Sequence, residues 1–142
     1  MADEHNPLTD LIGFHLRLAL LELRRSFSQH VGEGAIRPGL ASLLQLAATN
    51  PGLSQNELAA ALGMDKASLV TLVRDAQSEG WVRRRRAAVD RRRYEVVVTA
   101  KGKRTAAKLA QQTLEHEQKF RDRFSAVELE NLIAYLQRIY AK

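Results

Sequence analysis

The chain has 142 residues, no cysteine, and a net charge of +6 from 22 Lys and Arg against 16 Asp and Glu. That length suits one domain, 1–142, with enough apolar content for a core, while the absence of thiols excludes disulfide staples and sensing through a reactive cysteine. The charge is concentrated: residues 81–104 hold ten Lys or Arg against Asp90 and Glu95, a local excess of eight that surpasses the whole-chain value and points to a polyanionic partner.

In chain order, residues 8–31 read as one long amphipathic helix, with Leu11, Ile12, His15, Leu18, Ala19, Leu21, Glu22 and Phe27 spread around it. It is too long for a lone surface helix and calls for a second partner. No stretch is apolar for 18 residues, so no membrane span is expected, and with no targeting segment before Leu8 the expected location is cytoplasmic. Pro51 and Gly52 end a preceding helix. Ser54 and Glu57 then form a capping box that opens a helix over Gln55 to Leu62. Ala59 lets a neighbouring helix approach closely, and Gly63 supplies the positive φ of a tight turn. Asp65 is the N-cap of the next helix, which carries one apolar stripe of Leu69, Leu72, Val73 and Ala76 and stops at Gly80.

Two short helices about a tight turn suggest that the face opposite that stripe enters a DNA major groove. The residues there are Lys66, Ala67, Val70, Thr71 and Arg74, with Ser68 in the same first turn. Lys66 and Arg74 can donate to guanine or phosphate, Thr71 can bond either way, and Ala67 and Val70 offer only apolar contact, for example to a thymine methyl. The competing readings are a solvated surface for the two cations and a core position for Val70 beside Leu69 and Val73.

Val82 to Ala87 and Tyr94 to Thr99 are β-prone runs, predicted as a hairpin. Seven arginines, Arg83 to Arg86 and Arg91 to Arg93, crowd into its eleven residues 83–93 beside one acid, Asp90. Alternation splits the first four between two faces, so they cannot all meet one ligand; Arg84, Arg86, Arg91 and Arg92 are the candidate DNA ligands. The tip suits a narrow, negative minor groove, with flanking charges on phosphates. Asp90 fits only if it works internally, by holding the Arg92 guanidinium and so orienting the loop.

Thr99 to about Phe120 reads as another long helix, and Ser125 with Glu128 is a second capping box opening a terminal helix that carries Leu129, Leu132, Ile133, Leu136 and Tyr140. The apolar positions at both ends lack a core of their own within one protomer. Pairing ends with ends across a two-fold axis would bury them and space two half-sites by about 34 Å, one turn of DNA. The expected fold is therefore mainly α with a small β-hairpin: a winged helix-turn-helix over 37–99, with dimerisation helices over 8–31 and 100–142.

Residues 37–104 resemble the MarR family of bacterial transcriptional regulators. The resemblance rests on RPGLASLLQLAATNPGLSQNELAAALGMDKASLVTLV and on the wing pattern Asp90-Arg91-Arg92 followed by Val96, Val98, Thr99 and Lys101-Gly102. It implies a homodimer on a pseudo-palindrome that represses until a small molecule loosens it, with recognition helix Asp65 to Glu79, wing acid Asp90 and wing arginines Arg91 and Arg92. The chain departs from the usual pattern at Ala67, Ser68, Val70 and Thr71, which make its recognition face less polar.

The resemblance also implies an effector crevice near the first helix, where Phe14, His15 and Arg17, with Arg37 after it, would suit an aromatic carboxylate or an aromatic acyl-CoA. The plainer alternative makes Phe14 core, His15 an interface residue and Arg17 half of an ion pair. Histidines 5, 15, 30 and 116 show no ligand spacing, so no metal or other cofactor is expected. An enzyme is not expected either, since the chain has no nucleophile elbow and no glycine-rich phosphate loop. A DNA-binding protein without an effector, or an architectural one, remains open.

Overall fold

The computed structural model describes residues 6–32 and 36–142, and the chain divides into two compact units, Met1–Ala35 and Ile36–Lys142. In the first unit, the Asn6 side chain accepts the Leu8 N–H at 3.0 Å, and its carbonyl accepts the Thr9 N–H and hydroxyl. These local bonds hold residues 7–10 in a turn, so helix α1 is Ile12–Val31 and starts later than the expected Leu8. The helix ends at Gly32, which lies at φ 78°. Leu11, Ile12, Leu16, Leu18, Leu20, Leu21 and Leu23 are all exposed.

The second unit runs α2 (Pro38–Thr49), α3 (Gln55–Leu62), α4 (Lys66–Ser78), β1 (Val82–Arg86), β2 (Tyr94–Val98), α5 (Ala100–Arg121) and α6 (Ala126–Tyr140). Pro38 sits at the first helical position of α2, where its missing N–H costs nothing. Helix α2 is the central post, packing on α3, α4, α5 and β2. Leu43 and Leu44 from α2 meet Leu58 of α3, Leu69 and Val73 of α4 and Val96 of β2 in a fully buried core. Truncating any one of these leucines to Ala would cost about 2–5 kcal/mol.

Both strands are one residue shorter than expected. They pair antiparallel from Val82 opposite Val98 to Arg86 opposite Tyr94. Val82, Val96 and Val98 are the buried points of the two strands, and Ser54 and Leu53 attach the hairpin to the start of α3: Ser54 bridges Glu95, and the Val96 N–H donates to the Leu53 carbonyl at 2.9 Å.

The root of the hairpin is locked to α5. The Thr99 hydroxyl accepts the Gly102 N–H at 3.0 Å, as the N-cap of α5, and donates to the Gly80 carbonyl at 2.6 Å. A Cβ on Gly102 would stand 2.0 Å from the Trp81 carbonyl oxygen, so only glycine lets α5 pass this close to the chain entering β1. Among the described residues, no helix is long and apolar enough to cross a membrane.

Candidate nucleic-acid interface

The capping chemistry read from the sequence sets where α3 and α4 begin. The Ser54 hydroxyl accepts the Glu57 N–H, and the Glu57 carboxylate accepts the Ser54 N–H at 2.8 Å, which fixes the start of α3. Gly63 takes the left-handed conformation at φ 63° and turns the chain toward α4. At the start of α4 the Asp65 carboxylate accepts the Ser68 N–H at 2.8 Å and its hydroxyl at 2.6 Å. Serine and backbone hydrogen bonds hold the carboxyls of both Glu57 and Asp65 below their usual range.

Leu69, Leu72, Val73 and Ala76 are buried, and Lys66, Ala67, Ser68, Thr71 and Arg74 are exposed on the other side of α4. Val70 is 48% exposed, which removes the core alternative and leaves it on the open face. Among the described residues, the side chains of Lys66 and Arg74 have no hydrogen-bond or ion-pair partner. The Thr71 hydroxyl donates to the Ala67 carbonyl at 3.2 Å, and its lone pairs remain available.

The wing sorts its seven arginines into groups. Arg85 pairs with Glu95 at 2.8 Å and Arg93 with Glu57 of α3, so these two are held by the protein. Arg84 and Arg86 lie over the ring of Tyr94, at 4.7 and 5.4 Å from its centre. Such cation–π stacking holds a guanidinium plane while leaving its N–H groups able to donate. Arg83, Arg91 and Arg92 make no side-chain bond among the described residues.

The Asp90 carboxylate does not hold the Arg92 guanidinium expected from the sequence. It accepts the Arg92 backbone N–H at 3.0 Å, while the Asp90 carbonyl accepts the Arg93 N–H at 3.0 Å. The two-residue spacing favours this Asx turn because the backbone donor is fixed nearby, whereas a guanidinium must be ordered first. Val89 stands fully exposed beside it.

Between Ser54–Asn56 and the wing residues Arg84, Arg92 and Tyr94 lies an open cleft of about 410 Å³. One wall is the capped start of α3, and the other carries Arg84, Arg92, Arg93 and Tyr94 together with the carboxylate of Asp90. Sequence reasoning missed Tyr94 and the partners Glu57 and Arg93. The first was legible only as a β-prone residue, and Glu57 and Arg93 lie 36 positions apart.

The four residues expected to meet an effector are divided. Phe14, His15 and Arg17 lie on α1 in the first unit: the Phe14 and His15 rings meet edge to face, and the Arg17 guanidinium lies 5.9 Å from the Phe14 centre. The His15 ring is within 2.6 Å of the Thr9 carbonyl oxygen. Arg37, in the second unit, pairs with Asp75 of α4.

The sequence profile of the MarR family matches residues 41–93. A protein of Thauera aromatica, named as a transcriptional regulatory protein for the hcr operon, is 36% identical over 138 residues, covering 96% of this chain and 82% of its own length. Among solved structures, the transcriptional repressor CouR bound to a 23-mer DNA duplex superposes with a TM-score of 0.84 at 28% identity, over 93% of this chain and 94% of that one. CouR from Rhodococcus jostii RHA1 shares the fold at a TM-score of 0.86 and 23% identity, over 95% and 96%. By this relative and this profile, the chain belongs to the MarR family of DNA-binding transcriptional regulators.

Proposed function

We propose that this regulator is a homodimeric repressor that sits on a pseudo-palindromic operator and leaves it when an aromatic acid or aromatic acyl-CoA binds. The carrying observation is the open face of α4, with two unengaged cations, beside a wing whose remaining arginines are stacked or free to donate. In this reading Lys66, Ala67, Ser68, Val70, Thr71 and Arg74 meet base edges and phosphates in the major groove. Arg84, Arg86, Arg91 and Arg92 meet the minor groove and its phosphates, and Asp90 shapes the tip. The exposed leucines of α1 and the exposed Ile133, Tyr135, Ile139 and Tyr140 of α6 supply the apolar surface of a dimer. Segments 8–31 and 100–142 are then the dimerisation helices, and 37–99 is the winged DNA-binding part.

Phe14, His15, Arg17 and Arg37 are the effector candidates, an aromatic surface with guanidinium donors for a carboxylate or CoA phosphate. Two proteins of this fold direct the choice of compounds: CouR from Rhodococcus jostii RHA1 has been solved bound to p-coumaroyl-CoA, and the DNA binding of Bordetella bronchiseptica BpsR is regulated by 6-hydroxynicotinic acid. The protein's work is regulation in the cytoplasm rather than catalysis. Selection of bound genomic fragments by the purified protein, repeated with aromatic acids and their CoA thioesters, tests the proposal. A shared inverted repeat that is lost on adding one compound is expected. Salt-sensitive capture with no shared repeat would favour an architectural protein, and a repeat indifferent to every compound would remove the effector.

A further inference from the structure

We propose that Glu57 is the positioning residue of the DNA interface: by holding Ser54 and Arg93 together, it locks the wing to the first helix of the helix-turn-helix, and Arg93 serves the protein rather than the DNA. This rests on the reading that wing and recognition helix grip one duplex. One carboxylate oxygen of Glu57, Oε2, accepts from the Ser54 N–H at 2.8 Å, from the Ser54 hydroxyl at 3.1 Å and from Nη2 of Arg93. Arg93 is also the residue that closes the wing tip. Its N–H donates to the Asp90 carbonyl at 3.0 Å, and its own carbonyl accepts the Ala87 N–H at 2.9 Å.

The guanidinium therefore ties the closed tip loop to the cap that starts α3. A second tie lies a few residues along β2, where Ser54 bridges Glu95 and Leu53 accepts the Val96 N–H, with Glu95 itself held by Arg85. One attachment just before β2, at Arg93, and another within it, at Glu95 and Val96, fix the strand's direction as well as its position. A carboxylate next to a phosphate-seeking surface would otherwise repel DNA, and pairing with Arg93 cancels that repulsion while using the charge for geometry.

The test measures binding of the full chain to the inverted-repeat duplex that the wild type selects. Glu57→Gln keeps an acceptor for Ser54 and removes the charge; Arg93→Gln and the double variant complete a cycle, and Arg91→Gln is the comparison. Each single change should weaken binding by about threefold to tenfold, and the double variant no more than the worse single, because the two residues act as one unit. The slope of log affinity against log salt should stay unchanged in all three, whereas Arg91→Gln should make it shallower by about one. Hydroxyl-radical protection under the wing should fade while protection under the recognition helix persists. Should Arg93→Gln fail to fold by circular dichroism, Arg93→Lys is expected to fold and to weaken binding less than Glu57→Gln. Unchanged or tighter binding by Glu57→Gln, or multiplying effects with a shallower slope for Arg93→Gln, would overturn the proposal. A wild type that selects no shared repeat would instead defeat the underlying DNA-binding reading.

Discussion

Asp90 is a single acid among seven arginines, and it is useful because it is short. Its carboxylate reaches the Arg92 N–H two residues on and folds the tip, leaving the guanidinium groups of Arg91 and Arg92 outside. Asp90→Ala is expected to weaken DNA binding although it removes a negative charge, and tighter binding in a titration would show that the residue acts by repulsion alone. The neighbouring arginines should separate in the same assay. Arg91→Ala should cost about 1–3 kcal/mol of binding if the side chain enters a groove. Arg85→Ala should cost less than about 1 kcal/mol, since its partner is Glu95; equal losses for the two would contradict the sorting. An acid in that arginine run was visible as out of place from the sequence. The donor it serves is the Arg92 backbone N–H, which the two-residue spacing favours, and the reading that gave it the Arg92 guanidinium overlooked that nearer donor.

The elements that announce themselves in sequence are those with chemical ends. Ser54 with Glu57, Asp65, and Ser125 with Glu128 each form the cap their spacing implies, because a cap is decided within four residues. Helix α1 has no such end. Leu11 offers no side-chain cap, so the apolar periodicity runs on past the true start and only the Asn6 turn reveals it. Gly102 belonged to a recognisable pattern, but the reason for it is a contact with Trp81 far back in the chain. Gly102→Ala is expected to destabilise by about 3 kcal/mol or to shift the start of α5 from the hairpin root, and an unchanged melting temperature would refute the close approach. The caps also carry a pH signature. The carboxyls of Glu57 and Asp65 lie below their unfolded values, so the stability they contribute is present above the ordinary carboxylate range and is lost as pH falls through their lowered values. Melting temperature should therefore drop on acidification, and less so in Glu57→Gln; identical pH profiles would remove Glu57 from this account.

At the scale of the whole molecule, the exposed large apolar side chains among the described residues are concentrated on the first and last helices. Val127, Ile133, Tyr135, Ile139 and Tyr140 are exposed along α6, as are the leucines of α1. A lone domain of this size would seldom leave so much apolar helix surface to water. Ile133→Glu with Ile139→Glu is expected to turn a dimer into a monomer in sedimentation and to lower operator affinity by at least about a hundredfold, since a single wing and helix must then bind alone; a dimer that survives both changes would place its interface elsewhere. If one recognition helix and one wing from each of two protomers grip the same duplex, a groove-resolved footprint on the selected DNA will show it. Two major-groove protections about 34 Å apart are expected, each flanked on its outer side by a minor-groove protection that disappears in Arg91→Ala. A single unpaired protection, or minor-groove protection indifferent to Arg91, would contradict this two-protomer grip.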